Sequence, residues 1–359
     1  MKIYDLPTPS ILIDVDRMEG NIRRMQNVCT EHGVQLWPHI KTHKCVEILK
    51  RQLAAGAAGI TCAKIGEAEA MLPSGVKRIF VAHSIVAPEA GPRLRALQEN
   101  LDQLLVAVTS KAQAEHLEKV IAGVGIKVDV MMAYDTGLGR EGARSIEQIK
   151  EMRDYVEASS HFELKGVYSH EGHCYRSTPE TMNEVIDSVY TTLREVVDAL
   201  DRDILLAPGC SVSAARMATK PGVNWVRPGA YPLGDLSLAY RLSLMPWESA
   251  AATVYTTVVD RPTDDLALID AGSKTFSGDK TADGTSGRCR DNVEMAVQGV
   301  NEEHGYVRGP EATPLKIGER LQFVPAHVCG MINMHDQVYA VRGDEVLDTW
   351  KIEGRGKIF

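Results

Sequence analysis

Ser-Ile-Leu-Ile-Asp-Val-Asp-Arg-Met-Glu-Gly-Asn-Ile-Arg-Arg-Met-Gln-Asn-Val-Cys-Thr-Glu-His-Gly, residues 10–33, is the stretch on which the fold class turns. Its first six residues are an apolar, β-branched run, the pattern of a buried strand. Asp16 then reads as a helix N-cap, Met18, Ile22, Met25 and Cys29 recur at helical spacing, and Gly33 stands where the helix must stop. This is one strand–helix unit, and it repeats outward. Strands are expected at 34–40, 59–63, 78–83, 104–109, 127–134, 163–170, 204–209 and 223–227. Helical patterns such as 111–122, 145–158 and 179–200 lie between them.

Continuous apolar strands alternating with helices imply a parallel sheet covered on both faces. Eight or nine such units over residues 8–245 suit a closed (β/α)8 TIM-type barrel better than an open doubly wound sheet. Beyond residue 246 the helical patterns stop, and β-rich runs at 252–260, 266–270, 293–298, 319–325 and 337–342 alternate with Gly, Asp and Pro turns. The expected architecture is α/β: a barrel over 8–245, then a smaller all-β domain over 246–359 that residues 1–7 are free to join.

Composition narrows the function. The 359 residues are 44% hydrophobic and 25% charged, which suits one large core or two moderate ones. Forty basic against forty-eight acidic residues leave a net charge of −8, with no basic block, so no nucleic-acid partner is expected. No apolar run reaches membrane-spanning length, and residues 1–10 lack a signal-peptide core; the expectation is a cytoplasmic protein with no membrane partner. Seven scattered cysteines without a CxxC pair fit reduced thiols.

In a parallel barrel, chemistry gathers where strands end. The run Trp-Pro-His-Ile-Lys-Thr-His-Lys (37–44) sets Lys41 at such an end, where desolvation favours the neutral amine, a nucleophile toward carbonyls; a solvated loop lysine is the ordinary alternative. Tyr-Asp-Thr-Gly-Leu-Gly-Arg (134–140) offers the planar donors of Arg140. Val-Tyr-Ser-His-Glu-Gly-His-Cys-Tyr (167–175) carries Tyr168, His173 and Tyr175, with histidines suited to proton transfer near neutrality. The turns at 207–213 and 226–231 present Ser211, Gly229, Ala230 and Tyr231 ahead of short helices, an arrangement that binds phosphate. In Val-Pro-Ala-His-Val-Cys-Gly (324–330), an extended strand would point His327 and Cys329 the same way, as two ligands of one metal ion with positions left for water or substrate.

Pro-His-Ile-Lys-Thr-His-Lys, Thr-Gly-Leu-Gly-Arg-Glu-Gly, Arg-Pro-Gly-Ala-Tyr-Pro-Leu-Gly-Asp and Pro-Ala-His-Val-Cys occur here in one order. That order resembles the D-threonine aldolase and D-serine dehydratase-like family, the metal-dependent branch of the alanine racemase-type (fold type III) enzymes that use pyridoxal 5′-phosphate. The resemblance covers essentially the whole chain. It implies a homodimeric lyase of β-hydroxy D-amino acids in which Lys41 holds the cofactor. Arg140 and Tyr168 or Tyr175 would contact its ring, and Ser211, Gly229, Ala230 and Tyr231 its phosphate. His327 and Cys329 would hold a divalent metal (Zn, Mn or Mg), and His173 would stand near the substrate. An aldolase of D-threonine type is expected first and a dehydratase of D-serine or 3-hydroxyaspartate second. A non-catalytic cofactor-binding barrel and a metal-free racemase rank lower.

Overall fold

The computed structural model describes residues 1–359, which divide into two compact units. One comprises Arg24–Lys41, Ile48–Gly229 and Lys357–Phe359; the other comprises Met1–Arg23, Thr42–Glu47 and Ala230–Gly356. The expected boundary at 245/246 is therefore displaced, and the chain crosses between units more than once.

The strands are β1 (Ser10–Asp14), β2 (Gln35–Leu36), β3 (Ile60–Cys62), β4 (Arg78–Val81), β5 (Gln103–Val108), β6 (Val128–Ala133), β7 (Phe162–Tyr168), β8 (Leu205–Ala207) and β9 (Trp225–Val226). β3 to β8 form a six-stranded parallel sheet in sequence order, and β2 pairs in parallel with β9. Backbone bonds close the ring. The N–H groups of Ala58 and Thr61 donate to Leu36 O and Pro38 O (2.9 and 2.8 Å), and that of Asn224 donates to Leu206 O (2.9 Å). The eight strands β2–β9 thus make the TIM-like barrel of the first unit. Its interior is filled by Trp37, Phe80, Leu105, Met131, Tyr168 and Trp225, all buried. The rings of Trp37 and Trp225 lie 4.7 Å apart, and Phe80 meets Tyr168 edge-on at 5.0 Å, geometries that add to the gain from burial. At Gly166 a Cβ would stand 2.1 Å from the Leu205 carbonyl oxygen, so only glycine lets β7 approach β8 there.

The opening stretch 10–33 forms the strand and helix its pattern implies, but β1 is not a barrel strand. It pairs antiparallel with β10 (Ala252–Thr263) and parallel with β16 (Gln337–Arg342), inside the sheet of the second unit. A run buried on both faces satisfies either sheet, and periodicity carries no information about its partner. The helix cap also differs. The helix begins at Val15, and the Asp14 carboxylate accepts the Arg17 N–H (3.0 Å), in place of Asp16. Gly33 does end the helix, at φ +67°, with the Val34 N–H donating back to Cys29 O (2.9 Å).

The second unit is built on a nine-stranded sheet completed by β11 (Leu266–Ile269), β12 (Gly287–Cys289), β13 (Ala296–Val300), β14 (Gly305–Arg308), β15 (Arg320–Pro325) and β17 (Glu345–Lys351). Because β11 pairs with both β14 and β10, six of the strands close on themselves in the order β10-β11-β14-β13-β12-β15, and β1, β16 and β17 extend the sheet from β10. All seven cysteines are free thiols, and no helix is long and apolar enough to cross a membrane.

Candidate active site

The barrel unit collects polar groups at the exits of β2, β6, β7, β8 and β9. Lys41 lies in a single 3-10 turn (Ile40–Thr42), two residues beyond His39, which bridges to Thr61 of β3. His39 is buried, and burial first, then the nearby Lys41, Arg227 and Arg140 cations, hold its pKa well below the usual imidazole value. His170 is depressed in the same way by burial and then by Lys41, Arg227 and Arg140. Lys41, Arg140, Arg227 and two neutral imidazoles therefore form one electrostatic cluster, made for a ligand rich in negative charge.

Tyr168 closes β7 with its hydroxyl buried and without a hydrogen-bond partner, and burial raises its pKa. The Arg227 guanidinium carbon lies 5.0 Å from the centre of that ring, and its Nε is likewise buried and unpartnered. Unsatisfied buried polar atoms are costly, so two side by side at strand exits mark a place for an external partner. Arg140 follows a loop tied by the Asp135 carboxylate, which accepts the N–H groups of Gly137, Leu138, Gly139 and Arg140 (2.9–3.2 Å). His173 packs near Gly137 with a buried, unpartnered Nδ1, and Tyr175 follows in the same short turn. Ser211 Oγ accepts the Gly229 N–H (3.0 Å), joining two of the residues expected to face phosphate. Ala230 and Tyr231 belong to the other unit, where the Ala230 carbonyl accepts the N–H groups of Leu233 and Gly234 (3.2 and 2.9 Å).

Glu171, to which the sequence analysis assigned no role, lies beneath this cluster, fully buried. Oε1 accepts the Ser169 hydroxyl, and Oε2 accepts the Gly209 N–H and the Ser213 hydroxyl, both at 2.9 Å. Ser169 in turn offers its carbonyl to Arg227 Nη2. One carboxylate thereby fixes the turn that carries Ser211. Gly209 holds φ +103°, and a Cβ there would crowd Val226 at 3.1 Å.

In the β unit, β15 ends at Pro325, and His327 is the N-cap of a short helix, Val328–Asn333. The extended-strand argument for His327 and Cys329 therefore fails. The pair instead spans the N-cap and the first turn of that helix, and Cys329 adds to the electrostatics of the His327 imidazole. Cys329 Sγ also lies 3.1 Å from Thr42 Oγ1. Asp235 Oδ2, itself buried, stands 3.3 Å from His327 Nδ1; this bond first, then the neighbouring Cys329, pushes the imidazole pKa up to about 11. A carboxylate behind Nδ1 orients Nε2 for a ligand, the arrangement that accompanies metal-binding histidines. No group of three or more His, Cys, Asp or Glu side chains is assembled, so the protein offers a nitrogen and a sulfur, and other positions fall to water or substrate.

Two family models match the chain: the alanine racemase N-terminal domain over residues 13–237 and a putative serine dehydratase domain over 251–341. The chain belongs to the alanine racemase-type, pyridoxal phosphate-dependent family. Within it, the chain falls among the D-threonine aldolase and D-serine dehydratase-like members. It is 29% identical to a D-threonine aldolase of Arthrobacter sp, over 97% of this chain and 93% of the relative. It is also 29% identical to the D-threo-3-hydroxyaspartate dehydratase of Delftia sp. (strain HT23), over 97% and 98%. The solved structure of a D-threonine aldolase from Filomicrobium marinum superposes with a TM-score of 0.92 at 24% identity, covering 100% of this chain and 98% of that one, and so shares its fold. These relatives are lyases, some cleaving a carbon–carbon and some a carbon–oxygen bond.

The barrel residues fit the family's cofactor. A flat pyridine ring with a phosphate needs an amine, buried unpartnered donors and a backbone-lined turn, supplied here by Lys41, by Arg227 and Tyr168, and by Ser211 with Gly229. Of these, Arg227 was missed, although it sits in the quoted Arg-Pro-Gly-Ala-Tyr motif; Asp235 closes that same motif and was also passed over.

Proposed function

We propose that this protein is a pyridoxal phosphate- and divalent-metal-dependent lyase of β-hydroxy D-amino acids, acting as an aldolase that splits D-threonine into glycine and acetaldehyde. The observation that carries the reading is His327, backed by Asp235 and followed two residues on by Cys329, in a chain whose barrel also carries the Lys41 cluster. A racemase or a cofactor carrier has no use for the first of these.

Lys41 would hold pyridoxal phosphate, Ser211 and Gly229 its phosphate, and Arg140, Tyr168 and Arg227 its ring; His327 and Cys329 would hold the cation. When bound, the cofactor supplies an electron sink for the pair left at Cα, and the cation supplies a Lewis acid for the β-hydroxyl. His173 takes the β-hydroxyl proton, the C–O bond becomes a carbonyl, and the Cα–Cβ bond breaks. Tyr168, Arg227 and the neutral His39 form the buried floor of the cluster, where such interactions are strong, while Arg140 lies at its exposed rim.

One observation favours a second reading. Cys329 gives the cation a thiolate, a softer ligand than a carboxylate, and the His-x-Cys pair resembles the dehydratases. There Lys41 takes the α-proton, hydroxide leaves Cβ, and water releases ammonia and a 2-oxo acid.

The test is product analysis of purified protein with pyridoxal phosphate and Mn or Zn, offering D-threonine and D-serine separately with the L-enantiomers as controls. Glycine and acetaldehyde from D-threonine establish the aldolase. Ammonia with 2-oxobutyrate or pyruvate establishes the dehydratase, and turnover of the L-enantiomers alone refutes both.

A further inference from the structure

The Pro-His-Ile-Lys-Thr-His-Lys stretch (38–44) contains three residues after Lys41 that the mechanism above leaves without a task. The chain leaves the barrel unit at the Lys41–Thr42 bond and rejoins it at Ile48, and the residues between, Thr42–Glu47, pack with the β unit. They are firmly seated there. The Gly354 N–H donates to Lys44 O (2.9 Å), Glu353 Oε2 accepts the Val46 N–H (2.9 Å), and the Cys45 N–H donates to His43 Nδ1 (3.1 Å). Lys44 is buried at φ +50°, a left-handed backbone that a non-glycine residue keeps only where its surroundings dictate it. Gly354 lets the two segments close up, since a Cβ there would stand 2.9 Å from Lys44 Cβ.

Thr42 is both the first residue of this segment and the last of the 3-10 turn Ile40–Thr42 that carries Lys41. At its barrel end the turn follows His39, whose N–H donates to Pro228 O (2.9 Å). At its other end Thr42, only 1% exposed, sets its hydroxyl 3.1 Å from Cys329 Sγ. A hydroxyl donates as well as accepts, so it can stay bonded to the sulfur as a thiol or, by donating, as a metal-bound thiolate. The Cys329 sulfur thus has a buried hydroxyl behind it, as the His327 imidazole has the Asp235 carboxylate. A cofactor held by Lys41 and a cation held by Cys329 would each restrain the same three-residue turn, one from its middle and the other from its end.

We infer that Thr42 is a positioning residue that couples the cofactor and metal sites: either ligand, once bound, fixes the turn that the other needs and so tightens the other's binding. This rests on the cofactor and metal assignments proposed above and is independent of which bond the enzyme breaks. A turn already ordered by one ligand costs less to order for the second. Linkage makes the effect reciprocal, with one factor describing both directions.

Cys329 is the one cysteine that is not buried, so its alkylation is a site-specific readout that needs no turnover. The experiment measures the Zn concentration that half-protects Cys329 from iodoacetamide, read by peptide mass, in the apoprotein and in the protein loaded with pyridoxal phosphate. In parallel, the visible absorbance of the cofactor gives its affinity with and without Zn. In the unmodified protein each ligand should tighten the other by the same factor, on the order of 5- to 150-fold. Thr42→Val removes the hydroxyl and keeps the branched shape; it should retain the visible band, raise the half-protecting Zn concentration of the loaded protein about 10- to 100-fold, and bring the coupling factor close to one, and Thr42→Ser should restore both. Where Thr42→Val does not hold the cofactor, Thr42→Ala takes its place with the same outcomes expected. A coupling factor of one in the unmodified protein, an unchanged factor without the hydroxyl, or Thr42→Ser as impaired as Thr42→Val overturns the proposal while leaving the metal assignment standing. If Zn protects Cys329 at no concentration in the unmodified protein, the metal assignment fails and takes the proposal with it.

Discussion

Replacing Glu171 measures how far one buried carboxylate organises the barrel site. In Glu171→Ala the Gly209 N–H loses its acceptor and cannot rotate away, while the Ser169 and Ser213 hydroxyls turn to poorer partners. An orphaned buried donor costs about 1–3 kcal/mol, and bonds to a charged acceptor are worth about 1.5–3 kcal/mol each. Arg227, buried beside it, also loses the one carboxylate that offsets its desolvation. With partial relaxation the expected loss is about 3–5 kcal/mol, the range for breaking a buried charged network. Glu171→Gln should cost only about 1–2 kcal/mol: its carbonyl can replace Oε2, its amide can donate to Ser169 Oγ, and charge assistance alone is lost. Urea unfolding of the apoprotein gives both values, and a cofactor titration should show weakened binding in the order Ala, then Gln, because Gly209–Ser213 carries Ser211. A loss below about 1 kcal/mol for Ala, or equal losses for the two variants, would refute the argument.

Lys41→Ala should abolish the visible absorbance of the protein-bound cofactor; a retained band removes Lys41 from its role. Cys329→Ala should keep that band and lose metal-dependent turnover, and full activity of this variant after chelator treatment would sink the metal assignment. Asp235→Asn should weaken the cation by about 10- to 100-fold, read by competition with a chelating dye, since the residue orients His327 without touching the metal. His39 and His170 are held neutral in the fold but titrate near 6.5 when unfolded, so below that pH the unfolded chain binds more protons. Stability should therefore be full above pH 6.5 and fall as the pH drops toward the depressed native values, by at most about 1.4 kcal/mol per pH unit for each imidazole. Urea midpoints from pH 5 to 8 check the sign, and His39→Asn should flatten the slope.

Elements whose identity depends on local spacing were legible. The helix 111–122 has the bounds its periodicity implies, and β5 to β7 fall within a residue or two of theirs, because apolar alternation and Gly or Ser punctuation act over a few residues. β12, β14 and β17 escaped notice: two are only three or four residues long, and β17 is polar and largely exposed. Strand exits pointed to Lys41, Arg140 and Tyr168 for the same local reason, that a barrel presents its chemistry where strands stop.

What the sequence by itself determined, then, is the alternation of strands and helices, the shift to β structure after residue 246, and the residue types at each exit. The tertiary structure alone decided the partnerships. It set β1 between β10 and β16, more than two hundred residues away, because an apolar strand pairs with whichever edge the fold presents. It brought Asp235 behind His327 across ninety-two positions, and Glu171 under Gly209 and Ser213 across about forty. Buried carboxylates look like any others in a sequence; only the donors that converge on them in three dimensions make their burial affordable and give them a task.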